Sequence, residues 1–243
     1  MNYKYFREVF FVLAAVIILF YLILFTASAH AEGGFSLGSN RVIYDGSKRD
    51  ATVEVINSAK DSPFLAQSWV TEYNPEDKQP KMAPFLVTPP LYRQDEGKHT
   101  LRIIRTGGQL PSDRESVFFL NVKSIPAVHE DLSGKNTLQF AYIFRVKMFY
   151  RPAGLTEQTF ESANNLKFSR QGNTLAVQNT TPYYVTFNKL SVGGEEVKDV
   201  SSKMVPPLGY SNYSLPADVK GNLVVYRIIN DYGEVMPEQK TVL

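Results

Sequence analysis

The sequence predicts an all-β chain of two immunoglobulin-like β-sandwich domains. Three observations carry that reading. Short runs rich in valine, isoleucine and aromatic residues recur between turn signals. No segment with a 3.6-residue apolar period interrupts them. The succession breaks once, at Arg151-Pro152-Ala153-Gly154, where proline removes an amide donor and glycine loosens the chain.

Before the break, strands are predicted over 40–44, 51–57, 64–73, 85–88, 99–105, 116–124 and 138–150. Seven strands in about 115 residues is the count and spacing of an immunoglobulin-like sandwich. After the break, shorter strands are predicted over 166–169, 174–179, 184–192, 195–200, 211–215 and 223–230. Two compact domains suit this length better than one larger sandwich, and a cleft between them is a natural binding place. The expected division is a leader over 1–31, a first domain over 32–152 and a second over 153–243.

The leader is read from Lys4 and Arg7, an apolar run of 16 residues from Phe10 to Phe25, and Ala29-His30-Ala31. Basic start, apolar middle and small-x-small end form a secretory signal, cleaved before Glu32. An uncleaved membrane anchor is the competing reading, and the run is slightly short for it. There is no cysteine, so disulfides, thiol nucleophiles and thiolate metal sites are excluded. Without Lys4, Arg7 and Glu8, the 26 basic and 24 acidic residues become 24 and 23. Such balance gives no general reason to bind nucleic acid or an anionic membrane. His99 and His129 lie in polar stretches and are expected to be solvated loop residues, not a metal pair.

No catalytic set stands out. The sequence lacks H-E-x-x-H and a phosphate-binding glycine loop. Acid pairs such as Glu195-Glu196 are neighbours, and neighbours on a strand face opposite ways. An enzyme is therefore disfavoured, and no cofactor or metal is expected.

Two features call for a function. The stretch Leu138 to Pro152, LQFAYIFRVKMFYRP, places Leu138, Phe140, Tyr142, Phe144 and Val146 on one face, while the other is only partly polar. Such a strand is either buried on both sides or kept for pairing with something else. The second feature is a pair of cations in apolar settings, Arg41 in NRVIY and Lys147 in RVKMFY. Each must snorkel to water or meet an anion. From composition, snorkelling at strand ends is the plainer choice. A carboxylate held between two cations in a cleft is the sharper one.

The chain resembles the periplasmic pilus-assembly chaperones of Gram-negative bacteria. The strongest match is Leu110 to Pro126, LPSDRESVFFLNVKSIP. Arg41 to Tyr44, Gln67 to Val70, Val87 to Leu91, Tyr150 to Pro152, Thr181 to Tyr184 and Asn230 to Gly233 support it. The resemblance implies an L or boomerang of two domains that binds pilin subunits in the periplasm. It implies donation of the seventh strand to a subunit lacking its last one, and delivery to an outer-membrane usher. It assigns Leu138, Phe140, Tyr142 and Phe144 to the donor strand. Arg41 and Lys147 become the anchor for the subunit's C-terminal carboxylate, and Glu115, Arg151 and Asp231 the charges bridging the domains. Family donor strands are usually aliphatic where this chain has Phe140 and Tyr142, so its pockets of choice differ in shape. Lys147 has the opposite parity to the donor residues, so twist or a bulge must re-aim the chain, or the carboxylate is reached from the strand's edge. Self-association is a second way for the free chain to cover the strand. The alternative function is a secreted carbohydrate-binding or adhesive module, which would need an aromatic platform on loops.

Overall fold

The computed structural model describes residues 10–11, 13–18, 33–74, 77, 79–127, 138–155, 165–217 and 219–243. The proposed cleavage site and His129 lie outside them. Residues 10–11 and 13–18 are helical, and among the described residues no helix is long and apolar enough to cross a membrane. Residues 34–243 form one compact unit and are described from here on.

Among the described residues, nine strands build the first sandwich: β1 (Phe35–Leu37), β2 (Arg41–Asp45), β3 (Asp50–Asn57), β4 (Phe64–Glu72), β5 (Phe85–Thr88), β6 (Leu91–Gln94), β7 (Gly97–Arg105), β8 (Ser116–Pro126) and β9 (Tyr142–Arg151). One sheet runs β2-β9-β8-β4-β6 and the facing sheet β1-β3-β7-β5. Seven described strands build the second: β10 (Leu166–Gln171), β11 (Thr174–Asn179), β12 (Phe187–Val192), β13 (Glu195–Glu196), β14 (Gly209–Ser214), β15 (Leu223–Ile228) and β16 (Gln239–Val242). Their sheets run β10-β11-β14 and β13-β12-β15-β16.

Alternation explains most of this. In β3, Val53, Val55 and Asn57 turn inward and are buried, while the residues between them are more exposed. The first core gathers Val55, Val70, Leu101, Ile103, Leu120 and Met148, the second Leu175, Val177, Phe187, Leu190 and Val224. Each such side chain contributes about 1.5–3 kcal/mol through burial. β8 departs from alternation: Val117 to Val122 are all buried. Its even residues enter the first core, and Val117 and Phe119 face the other way. Val117 packs with Phe149 and with Met204 of the second domain. The run VFFLNV is apolar on both sides because the second domain covers one of them.

Three strands escaped the sequence reading. β1, β6 and β16 are three- and four-residue edge strands with little apolar alternation. The opposite error occurred at β9, expected from Leu138. It starts at Tyr142, because its partner β8 offers Ser124 opposite Tyr142 and pairing with β9 goes no further.

Candidate functional site

β2 and β9 pair in parallel, with Arg41 opposite Lys147. Paired residues share a face, so two segments distant in the chain set two cations side by side. Each also reaches a loop of the second domain. The Arg41 guanidinium donates to the Ile229 carbonyl at 3.4 Å and lies 5.5 Å from the centre of the Phe149 ring. Lys147 Nζ donates to the Ser201 carbonyl at 3.0 Å. Arg41 Nε is buried without a hydrogen-bond partner, and neither cation forms an ion pair among the described residues. Burial lowers the Arg41 pKa against the opposing pull of Asp231 and Glu115. Burial, and then the charge of Arg41, bring Lys147 down to about 8. Two half-buried like charges with spare donors form a place that an anion stabilises.

The four donor-strand residues are not equivalent. Leu138 and Phe140 precede β9 and are 80% and 58% exposed; Tyr142 opens it and is 62% exposed. Phe144 is half-buried against the first core, its ring 5.4 Å from that of Phe35. It therefore departs from the expected shared exposure, because β1 brings Phe35 over it from the facing sheet. The pairing of β9 with β8 runs from Tyr142 to Tyr150, and that with β2 from Lys147 to Arg151, both without a register shift. No bulge re-aims the chain. Even residues face the first core and odd residues the outer face, so Lys147 stands opposite to Phe144. The β2 pairing begins only at Lys147. Among the described residues, β9 from Tyr142 to Val146 thus has β8 on one side and no strand on the other, an open edge.

Glu115, Arg151 and Asp231 meet in one buried bridge. Arg151 donates from Nε and Nη2 to Glu115 Oε1 at 2.9 and 2.8 Å. It donates from Nη1 and Nη2 to the two Asp231 oxygens at 3.0 Å each. The Tyr184 amide fills Glu115 Oε2 at 2.8 Å, and the Tyr183 ring lies 5.0 Å beneath the guanidinium. Burial pushes the Glu115 carboxyl up, while Arg151 and the Tyr184 amide pull it back. Three N–H donors aimed at its oxygens are the setting of a carboxylate. The Asp231 turn closes with Gly233 at φ 82°, pressed against Asn40, whose side chain donates to the Gly233 carbonyl at 3.1 Å. Any Cβ there would collide with Asn40.

Sequence reasoning did not anticipate the Tyr184 amide, the bond from Tyr73 Oη to the Ser202 carbonyl at 3.1 Å, or the setting of Arg145. Thr181 to Tyr184 carried the only usable signal, as a matched motif. A cavity of about 1140 Å3 lies by the Ser202 loop, lined by Tyr73, Tyr184, Lys203 and Tyr213 among others; neither Arg41 nor Lys147 lines it. Among the described residues no three His, Cys, Asp or Glu cluster to hold a metal.

Two immunoglobulin-like sandwiches, a buried charge bridge between them, and a cation pair at the end of an open strand edge define a two-domain protein-binding module. The chain belongs to the pili-assembly chaperone family. Residues 34–156 match the family described as pili and flagellar-assembly chaperone, PapD N-terminal domain, and 161–240 match pili assembly chaperone PapD, C-terminal domain. Chaperone protein FimC of Escherichia coli strain K12 is 39% identical over 244 aligned residues, spanning 100% of this chain and 97% of the relative. Chaperone protein LpfB of Salmonella typhimurium strain LT2 is 44% identical over 204, spanning 83% and 85%. The E. coli chaperone DraB superposes with a TM-score of 0.75 at 36% identity, covering 87% of this chain and 99% of that one. The Salmonella enterica chaperone SafB, solved with the SafA pilin, gives 0.77 at 32%, covering 88% and 99%.

Proposed function

We propose that this chain is a periplasmic, non-enzymatic chaperone. It completes pilus subunits with β9, caps them and hands them to an outer-membrane usher. The open edge of β9, ending at the cations, carries the proposal. A subunit whose terminal carboxylate lies at Arg41 and Lys147 cannot continue past Lys147, because β2 takes that edge. Its last strand must approach from the Tyr142 side, parallel to β9. Main-chain hydrogen bonds along the edge supply affinity, and Leu138, Phe140 and Tyr142 are free to enter the subunit's groove. Donor-strand complementation of pilins is a well-known case of such strand addition. Residues 1–31 would be the export signal, and the domains would divide after Pro152. The carbohydrate-binding alternative finds no support, because Trp69 is half-buried within β4 rather than on a loop.

The test is subunit capture in periplasmic pull-downs. Arg41→Ala or Lys147→Ala should abolish recovery of a small β-rich subunit, because losing one partner of a desolvated charge contact costs about 2–5 kcal/mol. Thermal unfolding of each free variant should show a folded protein. Unchanged subunit affinity in either variant rejects the anchor.

A further inference from the structure

Arg145 stands on the outer face of β9, two residues from Lys147, and its setting resembles a built binding position. Opposite it on β8 is Asn121, which is fully buried. Asn121 Nδ2 donates to Thr71 Oγ1 and to the Phe119 carbonyl, both at 3.2 Å. That fixes the amide, so Asn121 Oδ1 must face β9, where it accepts from Arg145 Nε at 2.9 Å. The guanidinium also lies 5.2 Å from the centre of the Phe119 ring. An arginine has five N–H donors in a rigid fork. One is used to orient the side chain, and the four on the terminal nitrogens have no partner among the described residues. A guanidinium fixed before its ligand arrives loses less freedom on binding.

The surroundings select an anion. Across β9, β8 and β4, the outer face at this level holds Ile143, Arg145 and Lys147, then Lys123, Asn121 and Phe119, then Gln67, Trp69 and Thr71. Arg41 adjoins Lys147. Among these described residues cations are present and carboxylates are not. We propose that Arg145 is a specificity position which pairs with an acidic side chain on the subunit strand that adds to β9. This rests on the parallel addition proposed above. In parallel pairing, residues at the same level share a face, and two residues along a strand span about 6.6 Å. A subunit strand anchored by its carboxylate at Lys147 therefore presents one side chain beside Arg145, on the same face.

The probe is a series of soluble, fluorescently labelled nonapeptides of alternating valine and threonine with a free C-terminus. Glutamate or glutamine occupies each of the last four positions in turn. Anisotropy titrations use the intact exported chain. Glutamate should be preferred over glutamine by about fivefold or more at one position or at alternate positions, as a charge-assisted contact requires. Arg145→Gln should erase that ratio and Arg145→Lys should restore part of it. A purely structural Arg145 would lower affinity for both peptides alike and leave the ratio unchanged. Amidated peptides should lose binding to every form. Equal binding of glutamate and glutamine peptides, with the free carboxylate still required, overturns the role of Arg145 alone. A preference that survives Arg145→Gln does the same. Indifference to amidation, or no binding of any free-acid peptide, overturns the anchor reading and this one with it.

Discussion

If Lys147 anchors a subunit carboxylate as proposed, its titration couples capture to proton uptake. Its pKa in the folded protein, about 8, lies below that of a free lysine because burial, and then Arg41, disfavour the charge. The sign follows from linkage. Below about pH 8 the group is charged in the folded and unfolded chain, and folding carries the full cost of that charge. As pH rises through about 8 the folded protein sheds the proton, and the cost fades as the free-lysine value is reached. Binding a carboxylate reverses the preference and lifts the pKa again. Affinity for a C-terminal carboxylate should thus be flat from pH 6 to 7 and fall above about 8, by up to about tenfold per unit. Calorimetry at pH 9 in buffers of different ionisation enthalpy should register proton uptake, which Lys147→Arg should remove. A flat affinity to pH 9.5 without proton uptake rejects this. Part of it was legible beforehand. Arg41 and Lys147 were suspect as cations among apolar residues, and the family resemblance paired them; the parallel pairing of distant segments that sets them side by side could not be read from spacing. Arg145 gave no signal at all, because its role depends on Asn121 of a neighbouring strand.

At the scale of the element, β9 and the residues just before it divide into an exposed part and a core part. From Phe144 onward its even side chains hold the first core together; before that, Leu138, Phe140 and Tyr142 face solvent. The alternation in the sequence runs through both parts unchanged, which is why all four residues read as equivalent and the strand read as starting at Leu138. Periodicity reports which side chains share a face. It does not report where the partner strand stops, and β8 stops pairing with β9 at Ser124. β3, β5 and β11 were legible because their alternation and their pairing end together. Phe140→Ala should leave thermal unfolding of the free protein nearly unchanged and cut subunit recovery severely, since truncating a ring that becomes core in the complex costs about 3–5 kcal/mol. Phe144→Ala should lower both, at about 2 kcal/mol in the free protein, because its ring is only half-buried. The decisive observation is the pair of unfolding curves beside the pull-down. Strong destabilisation by Phe140→Ala with capture intact would make that ring part of the free protein's own core.

For the whole molecule, the contact between the sandwiches sets the surroundings of the proposed anchor. Arg41 reaches Ile229 and Lys147 reaches Ser201, so both cations stand against loops of the second domain. The apolar part of the junction is small, Val117 and Phe149 against Met204 with Tyr184 beside them, and its polar centre is the bridge of Glu115, Arg151 and Asp231. The Arg151 and Asp231 side chains are only 12% and 13% exposed and that of Glu115 is fully buried, so this is no weak surface pair. Removing one member leaves a charge stranded, which typically costs about 3–5 kcal/mol, whereas removing both ends of a buried pair together is far milder. Arg151→Ala should therefore destabilise the junction strongly at pH 7 and broaden the spread of interdomain distances in solution scattering. The pH dependence identifies the cause. Without Arg151, burial is left to raise the Glu115 pKa further, and a raised carboxyl destabilises most where it must be ionised. The variant should be least stable near neutral pH and recover as pH falls through the raised value. Adding Glu115→Gln removes the more deeply buried of the two stranded carboxylates, so the double variant should be more stable at pH 7 than Arg151→Ala alone, with the part of the acid recovery due to Glu115 gone. Capture should stay impaired in both, because neither restores the tie to Asp231. A double variant no more stable than the single one, with the same acid recovery, would show that the cost of Arg151→Ala lies in lost packing over Tyr183 and not in the buried carboxylate.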